Sequence, residues 1–471
     1  MTDIKKTVYR VSPLTAAVFI LRYSIFIFGT PYEYIGLENY PREVLLLFYL
    51  LMFSLLTIVG ILRYRKTSLM SEDGSICFSE GVFFRRCLFV RKGALRSILS
   101  VRNPFHRCFG AASVRINGAS FSKKLFLKKN SALLLESTSL SPNSTSAQGE
   151  KKVTRSSLFS LIIASVDLTH SLTGLLAGLS ILRFSSRIFR LTDALKIAET
   201  IDRKHLFLLG FLPYSLRLLA VFFLLLWGVI TVLNLNRILR LEFTAEKDLL
   251  TARYGLLSIH REIFEKSSVT AYLLTAGILS CATHRRNLWA HSKKSENSGN
   301  IPLLLGTEKS ECREILSTLY PFSKEENLQL TPAKNSRWAF CKLPLLLMLF
   351  LCALCIFPEK ALPFYLSSEL ILPLLAVAVF LFYYGHFKFG KSFCILTEDS
   401  LRICSFKGAV LQEAFIPREN IIAVGLSAGP FKRMFSKCNL KVYVRGSRPL
   451  HFTLPYAEKK KAAQLLSKLC D

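Results

Sequence analysis

Two stretches near opposite ends of the chain repeat one another, and this repetition limits the possible folds more than any single residue does. The first reads Ser71-Glu72-Asp73-Gly74, then Gly81, then Pro104-Phe105-His106-Arg107-Cys108-Phe109. The other reads Thr397-Glu398-Asp399-Ser400, then Gly408, then Pro430-Phe431-Lys432-Arg433-Met434-Phe435. Glu72 and Pro104 are 32 positions apart, as are Glu398 and Pro430. Self-similarity of this kind marks duplicated structural units. Between them lies a more divergent copy, in which Ala245-Glu246 and Gly255 keep the spacing of Glu72 and Gly81 but nothing matches the Pro-Phe element. Inside the copies apolar and polar residues alternate, as in Ser75-Ile76-Cys77-Phe78-Ser79 and Leu401-Arg402-Ile403-Cys404. That is the period of strands.

Apolar runs at 14–29, 44–62, 158–182, 216–235, 343–357 and 370–386 separate the copies. The chain is 51% apolar and carries 62 Lys and Arg against 32 Asp and Glu, a net charge of +30. Basic blocks alternating with oily runs point to a membrane rather than to nucleic acid, whose readers interleave exposed aromatics or present a basic helix. Arg63, Arg65 and Lys66 come directly after the second run, so positive-inside logic puts the polar blocks and both termini in the cytoplasm. The expectation is about six transmembrane helices in three hairpins alternating with three small antiparallel β domains. It divides the chain into a tail and hairpin (1–63), a first domain (64–136), a Ser-rich linker (137–156), a second hairpin (157–235), a divergent domain (236–300), a linker (301–340), a third hairpin (341–386) and a last domain closed by a helix (387–471).

This order, the Glu-Asp turns, the Ile-Pro of Ile416-Pro417-Arg418-Glu419-Asn420-Ile421, and the Pro-Phe turns before Ser113-Val114-Arg115-Ile116 and Leu440-Lys441-Val442-Tyr443 together resemble the YdbT-like bacterial pleckstrin-homology proteins, also called membrane-flanked domain proteins. The resemblance implies an α+β membrane protein whose PH-like split β-barrels are held at the membrane face by flanking helices. Val90-Arg91-Lys92 stands where the last copy has Ile416-Pro417-Arg418, which departs from the pattern.

Arg107, Lys432 and Arg433 are the residues of the Pro-Phe element that turn chemistry does not explain, and they are candidates for anionic headgroups or a partner's acidic face. The bland reading of its phenylalanines is that they plug a barrel end. Lys123, Lys124, Lys128 and Lys129 flank Leu125-Phe126-Leu127 and suit either acidic lipid or a Lys-protected edge strand. The residues support a protein- or lipid-binding scaffold in a membrane, and the resemblance implies the inner membrane, membrane lipids or a smaller membrane protein of the same family as partners, and a role in envelope maintenance or stress resistance. The rival is a transporter or lipid-modifying enzyme using Asp167, His170 and Glu369. No enzyme signature, cofactor motif or metal-ligand spacing is present, and no enzyme activity, cofactor, metal or nucleic-acid partner is expected. The twelve cysteines read as inert thiols.

Overall fold

The structure, a computed structural model, describes residues 6–29, 42–72, 75–82, 85–90, 95–118, 121–139, 152–168, 214–246, 248–292, 300–320, 328–356, 368–408, 410–446 and 450–470. The chain forms two compact units, Met1–Arg155 with Leu239–Ser268 and Ser156–Ile238 with Val269–Asp471.

In the first unit, β1 (Lys6–Tyr9) precedes two helices, α1 (Leu14–Gly29) and α2 (Arg42–Lys66). The chain continues through β2 (Ser68–Glu72), β3 (Ser75–Glu80), β4 (Arg86–Val90), β5 (Leu95–Arg102), the short α3 (Pro104–Cys108), β6 (Ala111–Gly118), β7 (Ser122–Lys128) and α4 (Lys129–Ser139). Next come β8 (Lys152–Arg155), β9 (Glu242–Glu246), β10 (Leu249–Tyr254) and β11 (Ile259–Glu265). Strands β1 to β4 pair in chain order, and a seven-stranded antiparallel sheet runs β7-β6-β5-β11-β10-β9-β8. Ala132 and Leu135, three apart and therefore on one face of α4, are buried with Tyr9, Leu69, Ile98, Val114 and Leu127 in one core.

The second unit holds α5 (Leu158–Leu168), α6 (Tyr214–Ile238), β12 (Val269–Ala276), α7 (Ile278–Ala282), β13 (Arg285–Ser292), β14 (Asn300–Glu308) and α8 (Lys309–Leu319). After these come β15 (Leu328–Leu330), α9 (Arg337–Ile356), α10 (Ser368–Lys391), β16 (Phe393–Leu396), β17 (Ser400–Lys407), β18 (Val410–Pro417), β19 (Ile421–Ser427), α11 (Pro430–Met434), β20 (Lys437–Val444), β21 (Leu450–Glu458) and α12 (Lys459–Cys470). Its sheets are β14-β13-β12-β18-β17-β16-β15 and β19-β20-β21. Ala462 and Leu465 on α12 close the core over Leu440, Val442, Phe452 and Leu454. Truncating such a residue, Leu465 for example, to Ala removes transfer energy and leaves a void, about 2–5 kcal/mol.

Among the described residues one pattern therefore occurs three times: a strand, two apolar helices, three strands, then a second set of three strands with a short helix after the first of them, and a closing helix. The middle copy gives β8–β11 to the first unit and β12–β14 with α8 to the second. The helices lie inside each copy, after its first strand, rather than between copies. Segments 137–156 and 301–340, expected as linkers, hold β8 in one case and part of β14, α8 and β15 in the other.

The expected six transmembrane helices and three separate small barrels are contradicted. Among the described residues one helix, Leu46–Lys66, is long and apolar enough to cross a membrane, at a mean hydropathy of 2.2. The stretches Leu14–Ser24, Leu158–Asp167 and Leu225–Ile238 are apolar but shorter than a span. α5 has 11 residues, about 16 Å of helix, and buries Leu161, Ile163 and Ala164 in protein. An apolar run thus served here as a core helix, an ambiguity that hydropathy alone cannot resolve. Nor are the barrels separate, because both large sheets run across copy boundaries: β5 pairs with β11, and β12 with β18.

Candidate functional site

The Pro-Phe element of the third copy is α11. Pro430 at its first turn is preset for helix. The Arg433 N–H donates to the Gly429 carbonyl at 3.0 Å, the Ser436 N–H to the Arg433 carbonyl at 3.1 Å, and the Lys459 N–H to the Ser436 carbonyl at 3.0 Å. Ser436 takes the left-handed conformation, φ +53, that ends the turn. This frame carries Lys432 over the ring of Tyr456, with Nζ 4.3 Å from the centroid, and Nζ donates to Asn439 Oδ1 at 2.8 Å. The same oxygen accepts the Tyr456 N–H at 3.2 Å. Tyr456 itself sits at φ +55, a strained setting for an aromatic residue. Phe340 of α9 packs on the Tyr456 ring at 5.5 Å.

These elements enclose a cavity of about 590 Å³ lined by Asn335, Ala339 and Lys342 at the foot of α9, and by Gly429, Lys432, Phe435, Lys437 and Tyr456. Burial pulls the Lys432 ammonium below the ordinary lysine pKa, and the charge of Lys342 pulls it further. Lys437 lies 5.7 Å from the Phe435 ring, and that ring is 67% exposed. Three ammonium groups, an amide and two aromatic rings around one cavity suit an anion carried on an apolar body. A second cavity, about 490 Å³ in the first unit, has carboxylates of its own among its four arginines: Arg261 meets Glu136 at 2.7 Å and Arg155 meets Glu242 at 3.0 Å along its wall.

The other copies carry different groups at the corresponding place. In the middle copy, Gly277 and α7 stand where Gly429 and α11 stand, so a helix equivalent to the Pro-Phe element is present without its side chains. There the Asp167 carboxylate of α5 accepts the backbone N–H groups of Gly277 at 3.2 Å and Ser280 at 3.0 Å. Arg285, eight residues after Gly277 as Lys437 is after Gly429, donates to Ser160 Oγ at 2.8 Å and to the Gly306 carbonyl at 2.7 Å. In the first copy, His106 replaces Lys432. Burial lowers its pKa, and its ring packs 5.6 Å from Phe126.

Of the residues singled out from sequence, the cavity gathers Lys432 alone. Arg433 turns back, Nε donating to the Ala428 carbonyl at 3.1 Å. Arg107 donates to the carbonyls of Leu256 and Leu257, both at 2.9 Å, and so ties α3 to the β10–β11 turn. Lys123 pairs with Glu80 and lies over Phe78 at 4.7 Å. Lys124, Lys128 and Lys129 are exposed on β7 and at the start of α4. Asp167 serves α7 as described, Glu369 lies in α10, and His170 is outside the described residues. Phe105, Phe109 and Phe435 do not plug a core, since each is more than half exposed. Lys342, Lys437, Asn335 and Tyr456 were missed, and only the basic start of the fifth apolar run hinted at Lys342.

The family profile described as Bacterial PH domain matches residues 16–140 and 343–470, together more than half of the chain. No curated protein matches it. The matched segments fall on the first and third copies, and the middle copy, which lacks the Pro-Phe side chains, is left out.

Proposed function

Because the chain belongs to the bacterial PH domain family, we propose that it is a membrane-anchored binding scaffold whose third copy receives an anionic lipid headgroup. Membership of this family points to binding rather than to catalysis. The cavity at the foot of α9 carries the reading: Lys342, Lys432 and Lys437 converge where the middle copy has supplied its own carboxylate. Leu346, Leu349 and Phe350, exposed along α9 beyond Lys342, offer an apolar surface for acyl chains next to the cationic foot. The anchor is α2, whose Leu46, Leu47, Leu50, Leu51, Leu55 and Ile58 are exposed on several sides of the helix. A helix apolar all round needs cover from lipid or protein. Arg63, Arg65 and Lys66 at its end favour the cytoplasmic side for the strands β2 to β4.

The helices set within each of three copies support placement near the YdbT-like proteins, in an inner membrane. A role in envelope maintenance or stress resistance and a smaller membrane protein of the same family as partner belong to the same proposal. Asp167 favours the scaffold over intramembrane chemistry, since its carboxylate is engaged by two backbone N–H groups.

The test uses the full chain in nanodiscs of zwitterionic lipid, titrated with soluble short-chain phosphatidylglycerol. Two lysines near a headgroup contribute about 1 kcal/mol each, so Lys432→Ala with Lys437→Ala should weaken binding roughly thirtyfold. Equal binding by both proteins, or equal binding of short-chain phosphatidylcholine, refutes the headgroup site. Release of the chain from membranes by alkaline extraction refutes the anchor separately.

A further inference from the structure

The two copy junctions obey one rule. At each, the fifth strand of a copy pairs antiparallel with the fourth strand of the next: β5 with β11, and β12 with β18. The registers also agree. Ile98, five residues before the Asn103 that caps α3, faces Ile263. Tyr272, five before the Gly277 that caps α7, faces Phe415. Ile263 and Phe415 each stand three residues before the residue whose N–H closes the next turn, Lys266 onto Asp248 and Arg418 onto Asp399. All four of these opposed side chains are apolar and buried.

The rule leaves one strand over at each end. Strand β4, the fourth of the first copy, is the edge of its sheet, and β19, the fifth of the third copy, is the edge of its own. Among the described residues neither has an outer partner. β19 exposes Ile422 and Leu426, whereas β5 and β12 are mostly buried. The residue of β4 equivalent to Ile263 is Phe89, because Ile76↔Val90 matches Leu250↔Phe264, each one pair in from a two-residue turn. Phe89 is 63% exposed. Its counterpart on β19, five residues before Gly429, is Val424, and the rule makes these two opposite partners. Long exposed apolar edges are templates for strand addition.

We infer that β19 of one molecule adds to β4 of a second copy of the same chain, in the register of the internal junctions, with Val424 opposite Phe89, Gly425 opposite Leu88 and Leu426 opposite Cys87. The contact is heterologous, so each molecule keeps one free edge of each kind and the assembly grows as a row. It makes the protein a repeating array of the same junction and does not depend on the headgroup site.

Cys87 is an exposed free thiol, which permits a test in native membranes with the full chain. Directly opposed residues in an antiparallel pair lie within disulfide reach. Under mild oxidation Leu426→Cys should give a ladder of covalent dimers, trimers and longer species, and Cys87→Ser should abolish it. A chain carrying Leu426→Cys and Cys87→Ser, co-expressed with a chain carrying only the native Cys87, should stop at mixed dimers. Ser427→Cys points to the opposite face and should not cross-link to Cys87. Phe89→Lys, at an exposed position, should cut the ladder about tenfold. The inference is overturned by Leu426→Cys remaining monomeric, by an intramolecular disulfide, by equal cross-linking of Ser427→Cys, or by a ladder that survives Cys87→Ser.

Discussion

The middle and third copies build the same frame around opposite contents. In the middle copy a carboxylate from α5 lies on the turn of α7, and Arg285 is spent on the Gly306 carbonyl and Ser160. In the third copy no carboxylate stands at the corresponding turn among the described residues, and lysines face a cavity instead. Charge that is satisfied from within holds a structure together, and charge left facing a cavity is available to a ligand. Duplication supplied the frame, and divergence at a few side chains decided between these two uses.

Gly306 gives the strongest way to break this comparison. It has φ +63, and a Cβ there would overlap the Ser160 backbone. Gly306→Ala should therefore destabilise the second unit by about 4 kcal/mol, through both strain and clash. Urea titration followed by hydrogen exchange in β13 and β14 reads this directly, and a loss below about 1 kcal/mol would show that the frame yields. Asp167→Ala should come next, at about 3 kcal/mol, because it orphans the two backbone N–H groups that now donate to its side chain. If the comparison holds, this loss appears as weaker protection of α7 and leaves headgroup binding at the third copy unchanged.

The two junctions sharpen the comparison further, because they share a register but carry different side chains in it: Leu99 faces Glu262 in the first, and Leu273 faces Ala414 at the equivalent pair of the second. Burial raises the Glu262 carboxyl from 4.5 to about 7, opposed in part by Arg115. The folded state therefore holds a proton that the unfolded chain has released between those two values. Stability of the first unit should fall as pH rises from 4.5 to about 7 and level off above. Glu262→Gln should flatten most of that slope, leaving the smaller part due to Glu136, a carboxyl of the same unit that burial also raises, and add about 2 kcal/mol at about pH 8. The second unit should lack this slope. An unchanged slope in the variant would assign it to another group.

The repeat was legible because turns leave fixed marks: Glu72, Gly81, Pro104 and their counterparts recur whatever the core does. The strand period in β3 and β17 was legible for the same local reason. The first strand of each copy was not, since β1, β8 and β15 are three or four residues long and gain their stability from neighbours distant in sequence. Hydropathy could not separate α5, packed into protein, from α2, which is exposed. Lys432 was found through its turn. Lys342, Lys437 and Tyr456 come from three further elements, and only the closed sheet brings them to one cavity.

Tyr456 allows the finest test. Its φ of +55 matches the +63 of Gly306, so both copies demand a left-handed residue three positions before the closing helix. The middle copy meets that demand with glycine, and the third tolerates a tyrosine that such backbone disfavours by about 1–2 kcal/mol. The ring lies under Lys432 and against Phe340, contacts that offset about 1 kcal/mol of the strain. Tyr456→Gly should thus change the stability of the second unit by less than about 1 kcal/mol, while the loss of the ring weakens short-chain phosphatidylglycerol binding about threefold. A stability loss above about 2 kcal/mol with affinity unchanged would make Tyr456 a packing residue, and the strain would then have no part in the site.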